Sequence, residues 1–264
     1  MRISEFKGEN IMLNMTELYY FSPTGGTKKV GESFCEEISE NITLIDLGKK
    51  NDEIEKPVSD IVVVAVPVFG GRIPAIVIDK LSKLNGSAKK AITLVVYGNR
   101  AYEDALLELN NVISESGFQV IASGAFVTQH SIVPEVGKGR PDNQDMIEIH
   151  DFAEKVLDKL ENGAESTVEV PGNYPYKTGT GMSVTPISLS VCNQCKKCKM
   201  ACPTEAIQIE QGSVNTNTEK CILCMACVAA CPEHARILPA SLQEKMEQKL
   251  GAFKAVRGKN EYFL

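Results

Sequence analysis

Eight of the nine cysteines in this chain fall between Cys192 and Cys231, while the 191 residues before that window hold only Cys35. They form two copies of one run. Cys192, Cys195, Cys198 and Cys202, then Pro203, return 29 residues later as Cys221, Cys224, Cys227 and Cys231, then Pro232. Each copy reads Cys-x2-Cys-x2-Cys-x3-Cys-Pro. Three thiolates at such spacing on a tight loop can wrap one face of an iron-sulfur cube, and the helix starting near the third carries the fourth toward the companion cube. The proline fixes φ and removes an N–H where the chain must turn. The expected ligand sets are Cys192, Cys195, Cys198 and Cys231 for one [4Fe-4S] cluster, and Cys221, Cys224, Cys227 and Cys202 for the other. Zinc ribbons also use Cys-x2-Cys pairs, yet zinc gives no reason for a fourth cysteine and a proline in each repeat. No ligand is missing, which speaks against three-iron clusters. Ala201, Ala226, Ala229 and Ala230 are small enough to let backbone amides approach the sulfurs.

A second constellation is made of glycine-rich loops. Ser22-Pro23-Thr24-Gly25-Gly26-Thr27 offers hydroxyls and open backbone N–H groups at the start of a helix-like run, which suits a phosphate held by oriented dipoles. It is neither a Walker loop nor Gly-x-Gly-x-x-Gly, so a mononucleotide fits better than ATP or an adenine dinucleotide. Pro67-Val68-Phe69-Gly70-Gly71-Arg72 could lie along an isoalloxazine edge, with Phe69 as a stacking face. Gly98-Asn99-Arg100-Ala101-Tyr102-Glu103-Asp104 could supply amides to the pyrimidine edge and Tyr102 as the other face. Arg72 and Arg100 are placed either near an anionic reduced flavin or on the solvated surface.

These groups need elements to position them. Strand-like runs at Thr16–Phe21, Ile42–Leu47, Asp60–Val66, Ala91–Tyr97 and Phe118–Val127 alternate with helix-like runs at Lys28–Glu40, Pro74–Leu84, Tyr102–Ser116 and Asn143–Leu160. The β-branched run Asp60–Val66 is of the kind buried on both faces of a parallel sheet. Five strands with intervening helices predict an α/β doubly wound parallel sheet. In the order 2-1-3-4-5 the glycine-rich loops after strands 1, 3 and 4 meet at the switch point, where such sheets hold FMN. The expected domains are an FMN-binding domain over 15–160, a Gly/Pro-rich linker over 161–186, a small α+β cluster domain over 187–240 and a helical tail over 241–264. In the tail Leu242, Met246, Leu250 and Phe253 form one apolar stripe. Met1–Asn14 reads as a loose extension, with Met12 and Met15 as alternative starts.

The phosphate loop, Pro67–Pro74, Tyr97–Leu106 and the doubled cysteine run together resemble the fused flavodoxin-ferredoxin family often labelled "ferrodoxin", over about Met15 to the C-terminus. That resemblance implies a flavodoxin-like FMN domain, a bacterial 2[4Fe-4S] ferredoxin domain, and electron transfer between them in anaerobic or facultative microbes. Members of the family more often read Ser-Gly-Thr-Gly-Asn-Thr in the phosphate loop; here Pro23 and Gly26 keep the hydroxyls but lose an asparagine side chain.

The net charge is −6, from 28 basic and 34 acidic residues, and no segment has the basic density that phosphate neutralisation needs, so nucleic acid is excluded as a partner. No apolar run is long enough to span a membrane and no export signal is visible, so a cytoplasmic protein is expected. The expected function is an FMN- and iron-sulfur-dependent oxidoreductase between a low-potential donor and an acceptor of unknown kind. No catalytic residue is assigned. A reductase would show an open pocket over Phe69 and Tyr102; a carrier docking on another redox enzyme would not. A redox or iron sensor lacks the basic helix-turn-helix it would need. Cys35 reads as a buried apolar side chain. His130, after strand 5, reads as a solvated or capping histidine within reach of the flavin loops, with proton donation the lesser option.

Overall fold

Sequence patterning places β3 (Ile61–Pro67) at the centre of the main sheet, where each of its seven residues is buried, in the computed structural model describing residues 12–50, 54, 56–163, 167–179, 184–210 and 212–264. β1 (Leu13–Tyr20) and β4 (Lys90–Tyr97) flank it, with β2 (Ser39–Asp46) and β5 (Gln119–Val127) outside them, all parallel. The order β2-β1-β3-β4-β5 is that of flavodoxin-like doubly wound sheets. α1 (Gly26–Ile38) and α4 (Asn143–Glu161) cover one face through Val30, Phe34, Ile38, Phe152 and Val156. α2 (Ala75–Leu81) and α3 (Ala105–Glu115) cover the other through Val77, Leu81, Leu106, Leu109 and Ile113. Each such side chain, fully buried, contributes about 1.5–3 kcal/mol.

β1 begins at Leu13, three residues before the expected start, because Leu13 packs against the α1–α4 side of the core. Residues 1–11 of the expected extension lie outside the described residues. Tyr102 to Asp104 precede α3, because Asp104 caps nothing within it and is instead buried against the linker.

The cluster domain carries its sequence repeat into its backbone. β6 (Ile187–Ser188) leads to the first cysteine loop and α5 (Lys197–Ala201), and the hairpin β7 (Ile207–Glu210) and β8 (Ser213–Thr216) to the second loop and α6 (Ala226–Ala229). β9 (Arg236–Ile237) then closes back on β6. Gln194, Lys196 and Glu205 have positive φ, and so do Leu223, Met225 and His234, each 29 residues on. Left-handed backbone is uncommon in non-glycine residues, so its return in register marks one loop built twice.

The tail departs from the expected helix. α7 (Ala240–Leu250) and a 3-10 turn over Gly251–Ala255 bear the predicted stripe, but the chain then adds β10 (Glu261–Phe263) antiparallel to β5. Tyr262 stacks on Phe152 with ring centroids 5.0 Å apart, which is why an edge strand forms where only a helix was expected. The linker also differs from a loose tether. Asp104 accepts hydrogen bonds from the Asn173 and Lys177 amides, and Asn111 donates to the Tyr176 hydroxyl, so 173–177 is strapped to α3. Residues 164–166 and 180–183 of the linker, Gly181 among them, lie outside the described residues.

Candidate functional site

The cysteines come together in the crossed pattern. One small cavity is lined by Cys192, Cys195, Cys198 and Cys231, with Arg236 and Ala235 beside them. Cys202, from the first run, lies within electrostatic reach of Cys221, Cys224 and Cys227. The fourth cysteine of each run therefore joins the other run's trio. Among the described residues no three His, Cys, Asp or Glu side chains converge as a single ion requires; thiolates around a four-iron cube stand farther apart than those around one ion.

Backbone donors serve the sulfurs. The Ala206 amide donates to Cys202 Sγ and the Ala235 amide to Cys231 Sγ, each at 3.3 Å, again 29 residues apart. The Ala226 amide reaches Cys224. Of the four alanines singled out from the sequence, Ala226 donates in this way, while Ala206 and Ala235 were missed. Their signal was the repeated Cys-Pro-x-x-Ala. Burial pushes the Cys224 thiol up to about 12, so a thiolate there needs the positive charge of iron to offset its desolvation. Both donor sets fit the clusters.

At the first glycine-rich loop, Gly25 stands at the N-cap of α1 with φ 92° and offers no side-chain cap. Ser22 Oγ accepts from the Lys28 amide at 2.9 Å. Gly25 and Gly26, at the start of this 13-residue helix and its dipole, line an open cavity, as an anion site requires. Gly26 admits no side chain, because a Cβ there would stand 2.3 Å from Thr128 Oγ1. This loop fits a phosphate.

The two other loops are used differently. Phe69 and Arg72 bridge a two-glycine turn at Gly70 and Gly71, and Phe69 meets Phe21 edge-on with centroids 6.4 Å apart. Pro67 ends β3 and Val68 follows it, its amide donating to the Val96 carbonyl. The Arg72 guanidinium is paired rather than free: its Nε donates to buried Glu108 at 2.7 Å, Nη1 donates to the Lys177 carbonyl, and it lies on the Tyr176 ring. Glu108 and the linker thus hold it on the α3 side. Arg100 pairs with Glu103 at 2.7 Å. Asn99 is buried and donates to the Phe253 and Val256 carbonyls, while the Tyr102 hydroxyl donates to Glu261. The side chains of Asn99, Tyr102 and Asp104 therefore secure the tail and linker, and Gly98 packs under the His130 ring. What sequence reasoning lacked was the folded tail and linker that claim them.

The open space lies elsewhere along the same edge. A cleft of about 670 Å³ is lined by Phe21, Ser22, Thr24, Lys49 and Lys50 on one side and by Met200, Ala226 and Ala230 of the cluster domain on the other. A second, of about 440 Å³, runs from Thr24–Gly26 past Thr128 and His130 to Met225 and Val228. The two meet at Thr24 and Ala229. His130 Nδ1 accepts the amides of Ile132 and Val133 at 3.1 Å, a capping role, and burial pulls its pKa down to about 4. Cys35 is fully buried and its thiol is raised by desolvation.

Residues 186–232 match the 4Fe-4S dicluster domain family. The polyferredoxin-like subunit of an aliphatic sulfonate oxidoreductase from Pyrococcus furiosus is 47% identical over 53 residues, 19% of this chain and 31% of that protein. One subunit of an ion-translocating oxidoreductase complex from Methanosarcina acetivorans is 46% identical over 44 residues, 17% of each. The match thus spans less than a third of either relative. Among solved structures, a flavodoxin from the domain Archaea superposes with a TM-score of 0.42 at 15% identity, covering 56% of this chain and 99% of that one. The chain thus joins a flavodoxin-like parallel sheet to a ferredoxin-type 4Fe-4S domain near residues 186–232.

Proposed function

We propose that this chain is an iron-sulfur flavoprotein of the fused flavodoxin-ferredoxin kind, passing electrons between two [4Fe-4S] clusters and FMN. When bound, clusters carry electrons singly and a flavin takes one or two, so together they convert between one- and two-electron partners. The observation that carries the reading is the seating of the cluster domain on the loop edge of the sheet. Ile222, between Cys221 and Cys224, packs against the apolar core on the α2–α3 side of the sheet, while Met225 and Val228 line the cavity that reaches the phosphate loop.

Ser22, Thr24, Gly25, Gly26 and Thr27 would hold the phosphate through hydroxyls and amides at the start of α1. Pro67 to Gly71 and the backbone of Gly98 to Arg100 would flank the ring, and Arg72, Asn99, Tyr102 and Asp104 would fix those loops from behind. The cysteine sets Cys192, Cys195, Cys198, Cys231 and Cys221, Cys224, Cys227, Cys202 would hold the clusters. The relatives are a polyferredoxin-like subunit and a subunit of an ion-translocating oxidoreductase, which favours an electron-carrying part over a sensor. Tyr102 is buried under Glu261, which favours delivery to a docked redox partner over a small substrate held above that ring.

Oxygen-free purification followed by flavin, iron and sulfide analysis is the test. About one FMN and eight irons per chain are expected, with a reduced ferredoxin bleaching the flavin. Cys224→Ala should keep the flavin but stop its reduction. Zinc without sulfide, or normal flavin reduction in Cys224→Ala, would overturn the proposal.

A further inference from the structure

The two cysteine loops are copies of one backbone with opposite surroundings. In the second copy, Ile222 packs against the apolar core on the α2–α3 side of the sheet, and Met225 clusters with Leu238 and Leu242, against which Leu223, Val228 and Ile132 pack. From Cys221 to Cys231 this copy bears no charged residue. In the first copy the same four places, 29 residues earlier, are Asn193, Gln194, Lys196 and Lys199, and all four are exposed. Lys197 stands where the second copy has buried Ala226. Cys195 is exposed, whereas its counterpart Cys224 is only partly so.

The repeat thus supplies an internal comparison. One copy turns its loop face toward a domain of its own chain, and that face is apolar; the other turns the same face to solvent, and there it is basic. No carboxylate occurs from Val170 to Thr204, and Lys196, Lys197 and Lys199 have no acidic partner among the described residues. Glu233, in the neighbouring loop, is engaged by the Asn193 amide group. Three lysines around an exposed ligand cysteine stand out on a chain of net charge −6.

Resting on the proposed function, we infer that the first cysteine loop, with Lys196, Lys197 and Lys199 around Cys195, docks an acidic one-electron carrier protein that feeds the cluster held by Cys192, Cys195, Cys198 and Cys231. Each encounter moves one electron: the carrier is oxidised, the cluster is reduced, and no bond forms or breaks. The cluster held by Cys221, Cys224, Cys227 and Cys202 then lies between this port and the flavin loops. Opposite charge steers such encounters and makes their rate fall with salt.

The experiment follows the absorbance of the full-length, cluster-loaded protein on mixing with a reduced acidic ferredoxin at low and high salt, reading cluster and flavin bands separately. K196E/K197E/K199E should slow cluster reduction by the ferredoxin at low salt about tenfold or more and abolish its salt dependence. Reduction by the methyl viologen radical cation should not slow, and iron content should stay unchanged. The milder K197Q/K199Q should give a smaller loss in the same direction, which covers misfolding of the triple variant. An unchanged ferredoxin rate in both variants, or an equal slowing with viologen, would overturn the inference. Normal cluster reduction without flavin reduction in the unaltered protein would instead defeat the proposed function and leave the docking face standing.

Discussion

Arg236 brings a full charge to a position only 1% exposed, without a carboxylate partner among the described residues. Its Nη1 donates to Ser188 Oγ at 3.0 Å, its Nη2 donates to Thr216 Oγ1 at 2.8 Å and approaches Cys227 Sγ at 3.9 Å, and its Nε finds no acceptor among the described residues. Buried cations are costly unless compensated, and here compensation comes from sulfur: Arg236 acts electrostatically on Cys198, Cys221 and Cys227, one cysteine of the first set and two of the second. It stands between the two sets. Arg236→Met should therefore make both clusters harder to reduce, lowering their midpoints by tens of millivolts, with Arg236→Lys closer to the parent. A potentiometric titration checks this, and unmoved midpoints would refute it. His130 gives a pH prediction. Its folded pKa lies near 4 against an ordinary 6.5, so the unfolded chain takes up a proton that the folded chain resists. The resulting stability is whole above pH 6.5 and declines as pH falls toward 4, by about 1 kcal/mol over the first unit. His130→Asn keeps an acceptor for the Ile132 and Val133 amides but does not titrate, so its unfolding free energy should stay flatter between pH 6.5 and 5.5.

Among the elements, β10 is the one whose removal is most informative. It covers the β5 edge, with Tyr262 opposite Gly124, and exposed edges invite pairing with other chains. Tyr262 stacks on Phe152, its hydroxyl donates to Asp151, and Lys155 lies over its ring. Tyr262→Ala should cost about 2 kcal/mol of unfolding free energy, less than for a fully buried aromatic because the side chain is half-buried. Deleting 261–264 should also yield self-associated species by light scattering, and a monodisperse, equally stable deletion would refute both points. The sheet and its order were legible in the sequence because β3 is a continuous apolar run and the helices carry apolar residues at helical spacing. The tail strand was not, because three residues such as Glu261 to Phe263 have no period of their own and form a strand only against β5. The doubled cysteine run was readable from its spacing. The roles of Arg72, Asn99 and Asp104 were not, since each is fixed by a partner far along the chain: Glu108, Phe253 and Asn173.

At the scale of the whole molecule, the proposed electron route depends on what seats the cluster domain on the sheet. An ion pair joins Lys50 to Glu205 at 3.2 Å, but both side chains are largely exposed, and such pairs contribute about 0–1 kcal/mol. The packing of Ile222 against the α2–α3 side of the core, and of Ile132 against the cluster of Met225, Leu238 and Leu242, withdraws more surface from water. Lys50→Ala should therefore leave electron transfer within about twofold of the parent. Ile222→Glu should behave differently, because its carboxylate would be set against the apolar core that Ile222 packs on. The cluster domain should release from the sheet while each part keeps its own core, so flavin and iron content should hold and the radius of gyration should rise. Cluster-to-flavin transfer should fall by more than tenfold, yet reduction of the outward cluster through the lysine face should proceed as before, since Lys196, Lys197 and Lys199 are already exposed in the seated protein. A variant that loses domain contact but still transfers electrons at the parent rate would show that the seat is not the electron path. Unequal effects of the two substitutions would place the coupling in apolar burial rather than in charge.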